Sequence, residues 1–102
     1  MKRFEYRIVV QSHGRDNWEH MLLSRQVGQA DEPFMVMVAE QDLSTGAFVD
    51  IVIIDLMQRM EMVRPECVKA IVLYRDAIAY LKGFRTGMRR LKEARVARGE
   101  TA

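Results

Sequence analysis

The chain has 102 residues, the length of one domain. Hydrophobic residues make up 49% of it and charged residues 29%, which is typical of a globular protein and argues against a disordered one. No apolar run approaches the length of a membrane span, so we expect no membrane association. The single cysteine, Cys67, excludes an internal disulfide. Since no secretory signal opens the sequence, we expect the reducing cytoplasm.

The net charge of +2 conceals an uneven distribution along the chain. Residues 1–63 carry six lysines and arginines against ten acidic residues, whereas residues 64–102 carry ten against four. This asymmetry predicts one of two arrangements. The basic part binds an anionic partner, or it packs on the acidic half of its own or a neighbouring subunit.

The first forty residues predict a β-α-β unit. Alternation followed by β-branched residues indicates a strand over residues 4–10. Asp16 and Glu19 resemble a capping box that would open a helix over residues 17–27, with Gly28 as its C-terminal stop. The continuous apolar run over residues 34–39 is typical of a buried strand.

Residues 47–63 fit two structures. The first part alone, residues 47–54, looks like a buried strand after a turn, and its β-branched residues favour that interpretation. Over the whole segment the apolar residues recur at helical spacing, with Asp42 or Ser44 as the cap and Pro65 as the end. We favour the helix. The stripe comprises Val49, Val52, Ile53, Leu56, Met60 and Val63.

The last third predicts one long helix from Pro65 to about Ala97, with Pro65 in its first position. Its first half is apolar nearly all round and its second half is strongly basic. A helix this long is rarely covered by its own chain, so we expect two helical hairpins to form a four-helix homodimer. The predicted dimer interface comprises Val68, Ile71, Ile78 and Leu81.

The basic half of this helix is the best candidate for a binding site. Four of its cations lie within about 80° of one another at 100° per residue. We call these residues, Lys82, Arg85, Arg89 and Lys92, the basic stripe. The stripe is open to three interpretations: a solvated helix end, a contact with an anionic protein, or a contact with nucleic-acid phosphates. It lacks Asn and Gln, which read bases, so any contact with nucleic acid would be mainly to the backbone.

Other chemistry-bearing residues give weaker signals. His13, Asp16 and His20 are close in sequence, but their spacing matches no metal site, and we expect them to be polar surface residues. Cys67 is expected to be a small buried residue rather than a reactive thiol. We therefore predict no catalytic residues, no metal and no cofactor.

Together these observations predict an α+β fold: a β-α-β portion followed by two helices, the last long and amphipathic. Residues 1–98 would form one domain and residues 99–102 a frayed tail. The expected function is that of a small non-enzymatic regulatory protein, such as an adaptor or a phage-type inhibitor, which binds another macromolecule as a homodimer. The alternative is a nucleic-acid-binding protein that uses the basic C-terminal helix.

Overall fold

Three strands and two helices make up the described part of the chain. The computed structural model describes residues 4–28 and 31–99. Strands β1 (Phe4–Ser12), β2 (Trp18–Gln26) and β3 (Met35–Gln41) precede helices α1 (Thr45–Glu61) and α2 (Val68–Ala97). The strands form one antiparallel sheet in the order β1-β2-β3. The predicted α+β class is confirmed, but the β-α-β portion is wrong, because the segment predicted as its helix is the central strand.

The strand character of β2 follows from its position between two partners. His20, Leu22 and Ser24 are buried toward the helices, and the alternate residues point to the other face of the sheet. Both edges of β2 form ladders of backbone hydrogen bonds, with β1 and with β3. Asp16 has φ 59° in the turn before β2, which is incompatible with the cap of a helix.

β3 is an edge strand. The predicted strand over residues 34–39 is confirmed as a strand, but the prediction that it is buried is wrong. Only Val38 is buried, whereas Met35 and Val36 are largely exposed. The helices cover one face of the sheet, and no strand among the described residues pairs with the outer edge of β3, so the apolar side chains of this run are only partly enclosed.

α1 confirms the helical interpretation of residues 47–61, but the helix ends at Glu61 and not at Pro65 as predicted. Ser44 is the N-cap, and its hydroxyl accepts a 3.2 Å hydrogen bond from the backbone N–H of Ala47. One stripe of α1 supplies half of the buried core residues of the described chain. The stability gained by burying this stripe outweighs the modest cost of β-branched residues in a helix. These core residues are Phe48, Val49, Val52, Ile53 and Leu56.

α2 ends at Ala97, as predicted, but it begins later than predicted. Pro65 lies in the turn between the helices, and Cys67 is the N-cap before Val68. The backbone N–H of Cys67 donates to the carbonyl oxygen of Arg64, which closes this turn. α2 returns antiparallel to α1, and Ala77, Ile78 and Leu81 face the core. Of the predicted frayed tail, residues 100–102 lie outside the described residues.

A polar contact connects the sheet to α2. The hydroxyl of Tyr6 in β1 donates a 2.8 Å hydrogen bond to the carbonyl oxygen of Leu73. Burial, and secondarily the nearby carboxylate of Asp76, raises the pKa of Tyr6 above its ordinary value. Within residues 4–28 and 31–99, no helix combines the length and apolar character that crossing a membrane requires.

Candidate functional site: the basic end of α2

The basic stripe lies on one face of α2. Lys82, Arg89 and Lys92 are exposed, and none forms an ion pair with a described residue. Arg85 is different, because its guanidinium lies 3.3 Å from the carboxylate of Asp50 on α1. This pair attaches the start of the stripe to the folded body, while Arg89 and Lys92 remain available to a partner.

The stripe continues into a helical segment that projects from the body. Met88 is the last residue of α2 that packs against the core, and every residue from 89 to 99 is exposed. We call residues 89–97 the arm. At 1.5 Å per residue, the arm extends about 14 Å beyond Met88. It is therefore accessible to a partner from all sides.

The arm and the turns that precede it carry a strong positive charge. Between Lys82 and Arg98 the sequence holds seven lysines and arginines and one acidic residue, Glu93. Within the arm, the charges of Arg89, Lys92 and Arg95 repeat at intervals of three residues, where like charges repel one another and weaken the helix. An anionic partner would relieve this repulsion.

The residues predicted to form a dimer interface lie in two different environments. Ile78 and Leu81 are buried in the chain's own core, so they are inaccessible to a second copy. Val68 is 62% exposed at the start of α2, and Ile71 is partly buried. Met62, in the turn after α1, is 87% exposed beside them in sequence. Only this end of the helical hairpin leaves part of the predicted interface open.

The structure separates the two histidines. His13 lies in the β1–β2 turn, where its Nε2 is 3.3 Å from the carboxylate of Glu19. His20 is only 4% exposed, so the expectation that it is a surface residue is wrong. Its Nε2 lies 3.0 Å from the hydroxyl of Thr45, and its ring packs against Phe48. In the described part of the chain, no group of three His, Cys, Asp or Glu side chains could hold a metal ion.

Cys67 is exposed, which contradicts the expectation that it is buried. It is the N-cap residue of α2, and its side chain makes no capping hydrogen bond. A helix that began at Pro65 would have placed Cys67 inside its first turn. The later start of α2 moves Cys67 out of the helix and to the surface.

A cation–π cluster that the sequence does not predict lies on the face of the sheet that the helices leave uncovered. The guanidinium carbons of Arg7 and Arg25 lie 4.4 Å and 4.3 Å from the ring centroid of Phe34. Arg25 also donates to the carboxylate of Glu5, its cross-strand neighbour. Because these contacts depend on strand pairing, only the correct registers of β1 with β2 and of β2 with β3 could have indicated them.

Comparisons with known proteins do not assign this chain to a family. No protein-family model matches it. Searches of curated proteins and of solved structures also found no match. Its function therefore has to be argued from its own residues.

Proposed function

We propose that this chain is a small non-enzymatic binding protein that attaches to another macromolecule through the arm. The observation that carries the proposal is that every residue of the arm is exposed and that the arm has a strongly positive charge. An exposed cationic helix attracts anionic surfaces and increases the rate at which it meets them. A regulator or adaptor that modulates its partner would use such a surface.

The remaining chemistry of the chain supports binding rather than catalysis. The histidines, which were the best candidates for an enzyme, occupy separate environments: His13 pairs with Glu19, and His20 is packed against Phe48. Catalytic pairs need to lie within hydrogen-bond reach of one another and of a shared substrate. We propose that the protein works in a reducing cytoplasm, which suits an exposed Cys67 thiol.

Self-association is the second part of the proposal. The end of the helical hairpin exposes Met62 and Val68, and a second copy is the occupant that we propose for this surface. Light scattering at low and high salt should give twice the mass of one chain. The Val68→Lys variant should shift the protein toward monomer, because burying a lysine at an interface is costly. A monomeric wild-type protein at both salt concentrations would reject the dimer.

A photo-crosslinking experiment tests the arm as the binding surface. A photoreactive amino acid replaces Val96 on the arm or, as a control, Val10 on β1; both positions are exposed in the structure. Irradiation in an extract of the native cells should give a crosslinked product only from position 96. Digestion of the product with nuclease or with protease then distinguishes a nucleic acid from a protein.

The crosslink should depend on the charge of the arm. Reversing the charges of Arg89, Arg90, Lys92 and Arg95 to glutamate should abolish the product from position 96. Equal products from positions 96 and 10, or an undiminished product from the charge-reversed arm, would contradict the proposal.

A further inference from the structure

We propose that the macromolecule bound by the arm is double-stranded DNA, held in the major groove by its phosphates and with little dependence on sequence. This inference rests on the proposed function, and it specifies the partner. Three properties of the arm carry it: its dimensions, the distribution of its charges, and the types of residue that it lacks.

The dimensions of the arm fit the major groove. An α-helix with its side chains is about 10–12 Å across. The major groove of B-form DNA is about 12 Å wide and about 8.5 Å deep, so it admits a helix. The arm consists of residues 89–97, which lie beyond Met88, the last residue in contact with the core. It can therefore enter a groove while the body of the protein stays outside.

The cations of the arm lie on more than one side of the helix, and the single acidic residue, Glu93, lies between Arg89 and Arg90 round the axis. Taking Arg89 as the origin, Arg90 lies about 100° and Arg95 about 240° round the axis at 100° per residue. Lys92 lies about 300° round it. A flat acidic protein surface would satisfy the cations of one side only. A DNA groove has phosphates along both walls, so cations on opposite sides of one helix can be neutralised together.

The residue types of the arm favour phosphates over bases. Residues 89–97 contain no Asn or Gln, the residues that pair with adenine in the major groove; their arginines and lysine can contact either phosphates or guanine. Contacts from lysine and arginine to phosphates release condensed counterions and carry no sequence information. The remaining side chains, which include Leu91 and Val96, cannot donate hydrogen bonds to base edges. We therefore propose that the arginines and lysine of the arm bind phosphates, which gives binding with little sequence preference.

DNA binding should also stabilise the arm as a helix. The arm has no packing partner in the described chain, and its like charges at intervals of three residues weaken it. Phosphates would neutralise that repulsion. Continuous basic helices that extend from a folded region into the major groove are one established way of binding DNA. Circular dichroism should therefore show increased helicity when a DNA duplex is added.

The test is fluorescence anisotropy with a labelled DNA duplex of mixed sequence. Four phosphate contacts, from Arg89, Arg90, Lys92 and Arg95, predict a slope of about −3.6 for log affinity against log salt. That slope corresponds to an affinity about 150-fold weaker at 200 mM than at 50 mM salt. A duplex of RNA with the same sequence should bind at least about tenfold more weakly, because its major groove is too narrow to admit the arm.

A pair of matched variants separates the arm from the overall charge of the protein. The arm variant is R89E/R90E/K92E/R95E. The control variant, R15E/R64E/K69E/R75E, has the same net charge, but its four substitutions lie at exposed positions outside the arm. DNA binding should be lost in the arm variant and should weaken much less in the control. Thermal unfolding should show that both variants remain folded, since the eight substituted side chains lie at the surface.

Each alternative result has a definite meaning. Equal affinity for duplex DNA, duplex RNA and poly-glutamate would overturn the DNA assignment but leave the arm as an anion-binding surface. Binding to poly-glutamate alone would also overturn the DNA assignment, and it would indicate an acidic protein as the partner of the arm. If both variants lose DNA binding equally, or if the arm variant keeps it, the major-groove inference is wrong. A crosslink from position 96 to a protein would preserve the proposed function and exclude DNA as its partner.

Discussion

The hydroxyl of Tyr6 connects β1 to α2, and the Tyr6→Phe substitution measures the value of that connection. The hydroxyl donates a 2.8 Å hydrogen bond to the carbonyl oxygen of Leu73. Phenylalanine retains the ring, whose centroid lies 5.6 Å from that of Tyr80, so no cavity forms. A hydrogen bond of this kind contributes about 1 kcal/mol to stability. We expect urea denaturation at neutral pH to show a free energy of unfolding lower by about 1 kcal/mol.

The same substitution should also change the response to alkaline pH. Burial, with a smaller contribution from Asp76, raises the pKa of Tyr6 in the folded state. The folded state therefore keeps a proton that the unfolded state releases above about pH 10, and wild-type stability falls as the pH rises beyond that value. The free energy of unfolding falls by at most about 1.4 kcal/mol per pH unit in this range. Water around the half-buried ring makes the fall smaller. Because Y6F lacks this effect, the two stability curves should converge at alkaline pH.

A matched substitution controls for the loss of a hydroxyl as such. Tyr74 also packs against the core, but its hydroxyl forms no hydrogen bond with a described residue. Tyr74→Phe should change the free energy of unfolding by less than about 0.5 kcal/mol at neutral pH. Curves for wild-type protein and Y6F that stay parallel up to alkaline pH would refute the argument about proton binding. Equal losses in the two variants would refute the role of the Leu73 contact.

Substitutions at four further positions test the helices through the free energy of unfolding. Ser44→Ala removes the cap that accepts from the Ala47 N–H and should cost about 1 kcal/mol, with Ser44→Asp as a control that restores it. Leu56→Ala empties a fully buried site and should cost about 2–5 kcal/mol; a smaller loss would mean that this core is loosely packed. Gly83→Ala and Gly87→Ala should each raise stability by about 1 kcal/mol, because a Cβ at either position meets nothing within 4 Å. An unchanged melting temperature in both glycine variants would contradict that expectation.

The helices could be predicted because their signals are local. The spacing of apolar residues and the Ser44 cap identify α1 without knowledge of what it packs on. The end of α2 at Ala97 was likewise predictable, since the helical pattern continues to that point. The start of α2 was not, because Pro65 is compatible both with the first helical position and with a turn just before the helix. The hydrogen bond from the Cys67 N–H to the Arg64 carbonyl oxygen distinguishes the two positions, because it places Pro65 in a turn before the helix.

The identity of β2 could not be predicted, because its stability comes from distant parts of the chain. Two of its buried positions hold the polar residues His20 and Ser24, so the alternation of a half-buried strand is hidden. Trp18, Met21 and Leu22 are spaced like residues on one face of a helix, but they lie in the strand β2. Pairing on both edges with β1 and β3 outweighs local preference, and sequence spacing does not show those partners.

The apolar half of α2 shows why a site can be harder to predict than the fold that carries it. Ile78 and Leu81 were predicted to lie in a dimer interface, but an apolar stripe is equally suited to a partner and to its own chain. In the structure, their own core buries them.

The arm is not subject to that ambiguity, because four of its nine residues are arginine or lysine and none of them packs against the core. Continuing α2 beyond Met88 adds like-charge repulsion and no core contact. A segment that weakens the folded chain without packing on it is where a function is expected. For this reason the arm, rather than the apolar stripe, carries the functional proposal.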